Sequence, residues 1–125
     1  MTPFSYEKTK CMCDALDHAL ILVKQGNNYG LCSGIDEAWE IKKCTYGEAE
    51  YLHTWINRMV GGFTFMDANK NPSTFMVSAY DRWLRRKHWV DWMKLHLMET
   101  SECPNKFEKQ IAPLKQSLSS LPPVL

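Results

Sequence analysis

A chain of 125 residues has the length of a single domain with room for an appended tail. At 45% hydrophobic and 12% aromatic, it can bury a real core, which excludes a disordered polyelectrolyte. Fifteen basic residues against fourteen acidic ones leave a formal net charge of +1, less basic than a protein that lives on duplex DNA.

The first twenty residues carry Glu7, Lys8, Lys10, Asp14 and Asp17, which interrupt any signal-peptide core. The longest apolar run, Ala19 to Val23, is too short to span a bilayer. The expectation is a soluble, cytoplasmic chain with no membrane contact. Five cysteines, an odd number, argue for free thiols. Cys11 and Cys13 are two apart, so on a helix their thiols point roughly 200° apart and cannot grip one ion. No metal and no cofactor are expected.

Helix one is expected from Ser5 to Lys24, where Ala15, Leu16, Ala19, Leu20 and Val23 make one apolar stripe. Gly26-Asn27-Asn28 stops it. Tyr29 to Ile35 reads locally as a short strand or as the start of a second helix. The helix is preferred, with Leu31, Ile35, Ala38 and Trp39 inward, and Gly30 and Gly34 weaken it or else let another helix approach closely. Thr45-Tyr46-Gly47-Glu48 reads as a capping box. It opens a third helix that runs to about Val60, with Ala49, Leu52, Trp55, Ile56 and Met59 inward and Gly61-Gly62 as its end. Phe63 to Pro72 is read as the main loop, rich in turn formers.

Ser73 or Thr74 is expected to cap a fourth helix bearing Met76, Tyr80, Trp83 and Leu84 on one face. A further apolar series, Val90, Met93 and Leu97, falls out of phase with it, and Trp89 and Trp92 lie beside that series. One straight helix cannot serve both faces, so a break is expected within Arg85–His88. After Cys103-Pro104-Asn105, Ile111, Leu114, Leu118 and Leu121 form a helical stripe, with Pro113 at an early helical position and Pro122-Pro123 as its end. The expectation is an all-α fold, a compact bundle of four to five helices over residues 1–100. Residues 101–125 make a C-terminal helical tail, docked or partner-binding.

The order of these elements carries a resemblance. Tyr29-Gly30-Leu31-Cys32 gives an aromatic-x₂-Cys segment after an apolar helix. Leu52 to Ile56 gives a Leu-x₂-Trp-Ile core. Trp83-Leu84 ends one helix, and Trp89 to Met93 gives Trp-Val-x-Trp-Met in the next. Over roughly residues 12–98 this resembles small helical accessory proteins encoded by bacteriophages. The resemblance implies a small, non-enzymatic protein and supplies no site residues. The chain departs from it in the longer Phe63–Pro72 segment and the leucine-striped tail.

Chemistry is sparse. His18 lies near Asp14 and Asp17, and His53 near Glu50, at ordinary helix-surface spacings. Asp36-Glu37 and Glu48/Glu50 read as solvated faces. No nucleophile elbow, phosphate loop or zinc-protease motif occurs, so no catalytic residue is assigned. The conspicuous segment is Arg82 to Met93, dense in cations and tryptophan. Arg82, Arg85, Arg86, Lys87, Trp89 and Trp92 are the candidate partner-binding residues, because Trp and Arg are favoured at interface centres. Leu114, Leu118 and Leu121 are a second candidate contact, unless the tail simply folds back onto the tryptophan helix. The expected function is an interaction protein that binds and inhibits a host protein, such as a defence enzyme, by steric occlusion in the host cytoplasm. The alternative is nucleic-acid binding through the Arg82–Trp92 corner, with Lys94 contributing. A homo-oligomer and an enclosed nucleotide pocket stay open.

Overall fold

A computed structural model describes residues 3–24, 31–70 and 79–120, with side chains at 3–22, 31–58, 83–84, 86–119. The architecture is all-helical. In order come α1 (Tyr6–Lys24), α2 (Leu31–Glu40), α3 (Tyr46–Lys70), α4 (Ala79–Glu99), a short 3-10 turn (Pro104–Phe107) and α5 (Glu108–Ser120). Among the described residues no helix is long and apolar enough to cross a membrane.

The core follows the apolar stripes. Met12, Ala15, Leu16 and Ala19 of α1 meet Leu31, Ile35 and Ala38 of α2, Ala49, Leu52 and Ile56 of α3, and Val90, Met93 and Leu97 of α4. The α1–α2 seam is very close. A Cβ on Gly34 would stand 2.6 Å from both Cα and Cβ of Ala19, so Gly34 is the close-approach glycine that its position suggested.

Local signals account for the ends of α2 and α3. The Lys43 N–H donates to the Ala38 carbonyl at 2.8 Å and the Lys42 N–H to the Trp39 carbonyl at 3.0 Å. Lys42 itself has φ 64°. This is a Schellman stop with lysine where glycine is usual. The Thr45–Glu48 capping box forms as read. The Glu48 N–H donates to Thr45 Oγ1 at 3.3 Å, and Glu48 Oε1 accepts from the Thr45 N–H at 3.1 Å and its hydroxyl at 2.8 Å.

Three expectations are corrected. First, Gly61-Gly62 does not end α3, which continues to Lys70 and absorbs most of the expected 63–72 loop. Glycine lowers helix propensity by about 1 kcal/mol but stops a helix only where the chain turns out of it. Second, α4 is unbroken through Arg85–His88. Its buried residues Trp89, Val90, Asp91, Met93, Leu97 and Met98 sweep an arc of about 200°, because α1 and α5 both pack against it. So wide an arc takes in Trp83, which is in phase with Val90 and Leu97. Third, Pro113 lies inside α5; Pro104, opening the 3-10 turn, holds the early position instead. The stops and caps expected at Gly26–Asn28, Ser73–Thr74 and Pro122–Pro123 lie outside the described residues, as do Met76 and the side chains of Val23, Met59 and Tyr80.

The C-terminal segment folds back. Phe107 is buried, and Ile111 and Leu114 pack against the core. Lys115 pairs with Glu99 of α4 at 3.1 Å. The Phe4 carbonyl accepts from the Glu102 N–H at 2.9 Å and the Ser101 hydroxyl at 3.2 Å, and Tyr6 packs on Phe107 with ring centroids 5.0 Å apart. These contacts tie the start of α1 to the turn before α5.

Candidate functional site

The fold separates the residues of the Arg82–Trp92 segment. Trp89 is only 6% exposed and is part of the core, so it leaves the set of surface anchors. Trp92, three residues on and about 300° around the helix, is 44% exposed. Lys87 is held by Asp91 at 2.8 Å, and Lys94 by Asp17 at 2.9 Å. Each cation therefore serves a fold contact. Arg86 is half-buried and is not free. The Arg82 and Arg85 side chains lie outside the described residues. In the tail, Leu114 packs against the core, Leu118 is half-buried and Leu121 is outside the described residues.

What surrounds Trp92 is a set of rings from two helices. Trp55 of α3 meets Trp92 edge to face at 5.7 Å and His96 at 5.2 Å. His96 stacks on Trp92 at 5.8 Å with the planes 8° apart. Tyr51 continues the series, 6.0 Å from Trp55, and Phe4 closes it, 5.0 Å from Tyr51. These rings hold α3 and α4 apart and leave a cleft of about 500 Å³, whose walls include Tyr51, Trp55, Arg58, Trp92 and His96. Trp55, expected to point inward, is half-buried.

On the other side of α3 lies a smaller notch of about 270 Å³, lined by Asp36, Trp39, Tyr46, Ala49, Glu50 and His53. Trp39, expected to point inward, is 41% exposed, and Tyr46 is 62% exposed. Their rings meet edge to face at 5.4 Å and 67°. The Schellman stop explains the arrangement, since it turns the chain sharply enough to bring the first residue of α3 beside the end of α2. Glu50 lines both the notch and the cleft, which makes the outer ridge of α3 the divider between them.

A ladder of polar pairs clips α2 to α3. His53 Nε2 donates to Asp36 Oδ1 at 2.7 Å, and the Cys32 thiol donates to Asn57 Oδ1 at 3.5 Å. Cysteine, histidine and acid side by side suggest nucleophilic chemistry, but the pairing is of another kind. Burial and then the Asp36 carboxylate push the Cys32 thiol above its ordinary value, away from the thiolate a nucleophile needs. The histidine is engaged by the aspartate, so the four residues act as a clip. Cys13 and Cys44 are likewise pushed up by burial, to about 12 and about 11. Among the described residues no group of three His, Cys, Asp or Glu side chains is placed to hold a metal ion.

The chain matches no family model, no curated protein and no solved structure.

Proposed function

We propose that this chain is a small non-enzymatic interaction protein of the phage-encoded accessory kind. It binds a host protein, such as a defence enzyme, in the host cytoplasm and inhibits it by covering its working surface. The supporting observation is the ring-lined outer surface of α2, α3 and α4. Three of the five tryptophans, Trp39, Trp55 and Trp92, are exposed or half-buried there, beside two concavities that share Glu50. Burying large rings is the main stabilising term in folding. Rings left at a surface are the usual anchors of protein interfaces, where Trp, Tyr and Arg dominate the binding energy.

The test is capture from host lysate with the wild-type chain and with a Trp39→Ala/Trp92→Ala variant. The reading requires a partner retained by the first and lost by the second, with circular dichroism unchanged. Equal capture by both would remove this surface from the function. Nucleic-acid binding is separated by titrating single- and double-stranded oligonucleotides at low and moderate salt. Binding at low salt that falls steeply with added salt would replace the protein-partner reading.

A further inference from the structure

We infer that the notch between α2 and α3 receives an arginine side chain of the partner. The guanidinium would lie against the Trp39–Tyr46 corner and pair with the Glu50 carboxylate. This rests on the protein-partner reading and names the chemistry of one contact within it.

The argument begins with what lines the notch. Two rings meet there at 67°, each well exposed, so they offer a concave corner. A cation over such rings is attracted by their quadrupoles. The other lining residues are Asp36, Ala49, Glu50 and His53, with no lysine or arginine. Asp36 is engaged by His53, whereas Glu50 forms no ion pair with any described residue. The charges near the notch in sequence nearly cancel: Glu40 closes α2, Lys42 and Lys43 follow it, and Glu37 faces His18 of α1 at 3.6 Å. The local field is therefore set by the lining carboxylates, and it selects a cation.

Shape selects which cation. A guanidinium is planar, lies flat on a ring, and presents a fork of donors that a carboxylate can accept in pairs. An ammonium is a compact, strongly hydrated charge that gives up more solvation to sit between rings. A notch of about 270 Å³ is a recess for one side chain rather than a groove for a helix. The larger cleft around Trp92 would then take apolar or aromatic groups of the same partner, with Glu50 between the two contacts.

The test uses the full chain and small probes, so the partner need not be known. N-acetyl-arginine methylamide is titrated into labelled protein through the millimolar range while the Trp39 indole N–H is followed by NMR. The signal is assigned by its loss in Trp39→Phe. The expected result is a saturable shift at Trp39. It should weaken about fivefold in Glu50→Gln and with the uncharged citrulline analogue. No saturable shift, an equal response to citrulline, or an unchanged response in Glu50→Gln would overturn the inference. A lysine probe that binds as tightly would overturn the choice of arginine. Lysate capture that depends on Trp92 without an arginine response at Trp39 would sink this inference alone. An arginine response at Trp39 with no captured partner would sink the proposed function instead.

Discussion

The α1–α2 seam and the α3–α4 cleft are two solutions to placing one helix beside another. At the seam the residues are small: Gly34 lies on Ala19 with no room for a single added carbon, and the surfaces close. At the cleft the residues are large: Trp55, Trp92 and His96 meet edge to face or stacked, and the backbones stay apart. Small residues seal and large rings prop. A propped interface leaves part of each ring in solvent, so the side chains that separate α3 from α4 are also the ones a partner could reach. The same helix, α4, shows both behaviours within one turn, with Trp89 sealed in and Trp92 left out.

The largest expected effect breaks the sealed side. Trp89→Ala removes a buried ring and should cost about 3–5 kcal/mol in chemical denaturation. A cost near zero would mean that Trp89 is not held in the core. Gly34→Val comes next. Its branched side chain meets the Ala19 backbone, which cannot rotate away, so α1 and α2 must separate at a cost of about 1–3 kcal/mol. A neutral Gly34→Val would show that the seam is looser than the 2.6 Å approach indicates.

How far these two regions could be read from the sequence follows from how local their causes are. The apolar stripes of α1 and α2 and the Thr45–Glu48 box are patterns within one helix turn, and the chain spells them out. The arc on α4 depends on its being packed by both α1 and α5. Taken alone, the phase of Trp83–Leu84 against Val90–Leu97 suggested a break that a two-sided helix does not need. Gly61-Gly62 misled in the same way, since a weak helix position is not a stop unless something turns the chain. Of the candidate site, Trp92 was legible as a candidate ring but not distinguishable from Trp89, which is buried. The Trp39–Tyr46 corner was not, because it depends on Lys42 adopting a left-handed conformation that no glycine announces. Trp39 also adjoins Ala38, which is on the buried face, and a stripe does not say where its edge falls.

A third effect, spread over the alkaline range, probes the sealed side through pH. Cys13 is pushed up to about 12, chiefly by burial, with Asp17 and Asp14 adding to the shift and Lys94 opposing it. An unfolded thiol ionises near ~8.5. The neutral form is favoured by folding, so this stability is fully present below pH ~8.5 and is lost as pH rises toward about 12. Between those limits the slope from this one group approaches about 1.4 kcal/mol per pH unit. Cys13→Ala should flatten the alkaline limb of the stability curve, and an unchanged limb would place the thiol in contact with water.

The smallest stability effect belongs to Trp92, and its smallness sharpens the comparison. Nearly half of the ring is already in solvent. Trp92→Ala therefore loses its contacts with Trp55 and His96 and the burial of about half of the residue, about 1–2 kcal/mol together. Trp89→Ala and Trp92→Ala remove the same side chain from two positions within one turn of the same helix. The pair should differ about twofold or more in denaturation cost and in the opposite order in partner capture. If Trp92→Ala instead destabilised the fold as much as Trp89→Ala, the rings of the cleft would be part of the core. Their exposure would then be incidental, and the α3–α4 surface would lose its claim to be where the protein acts.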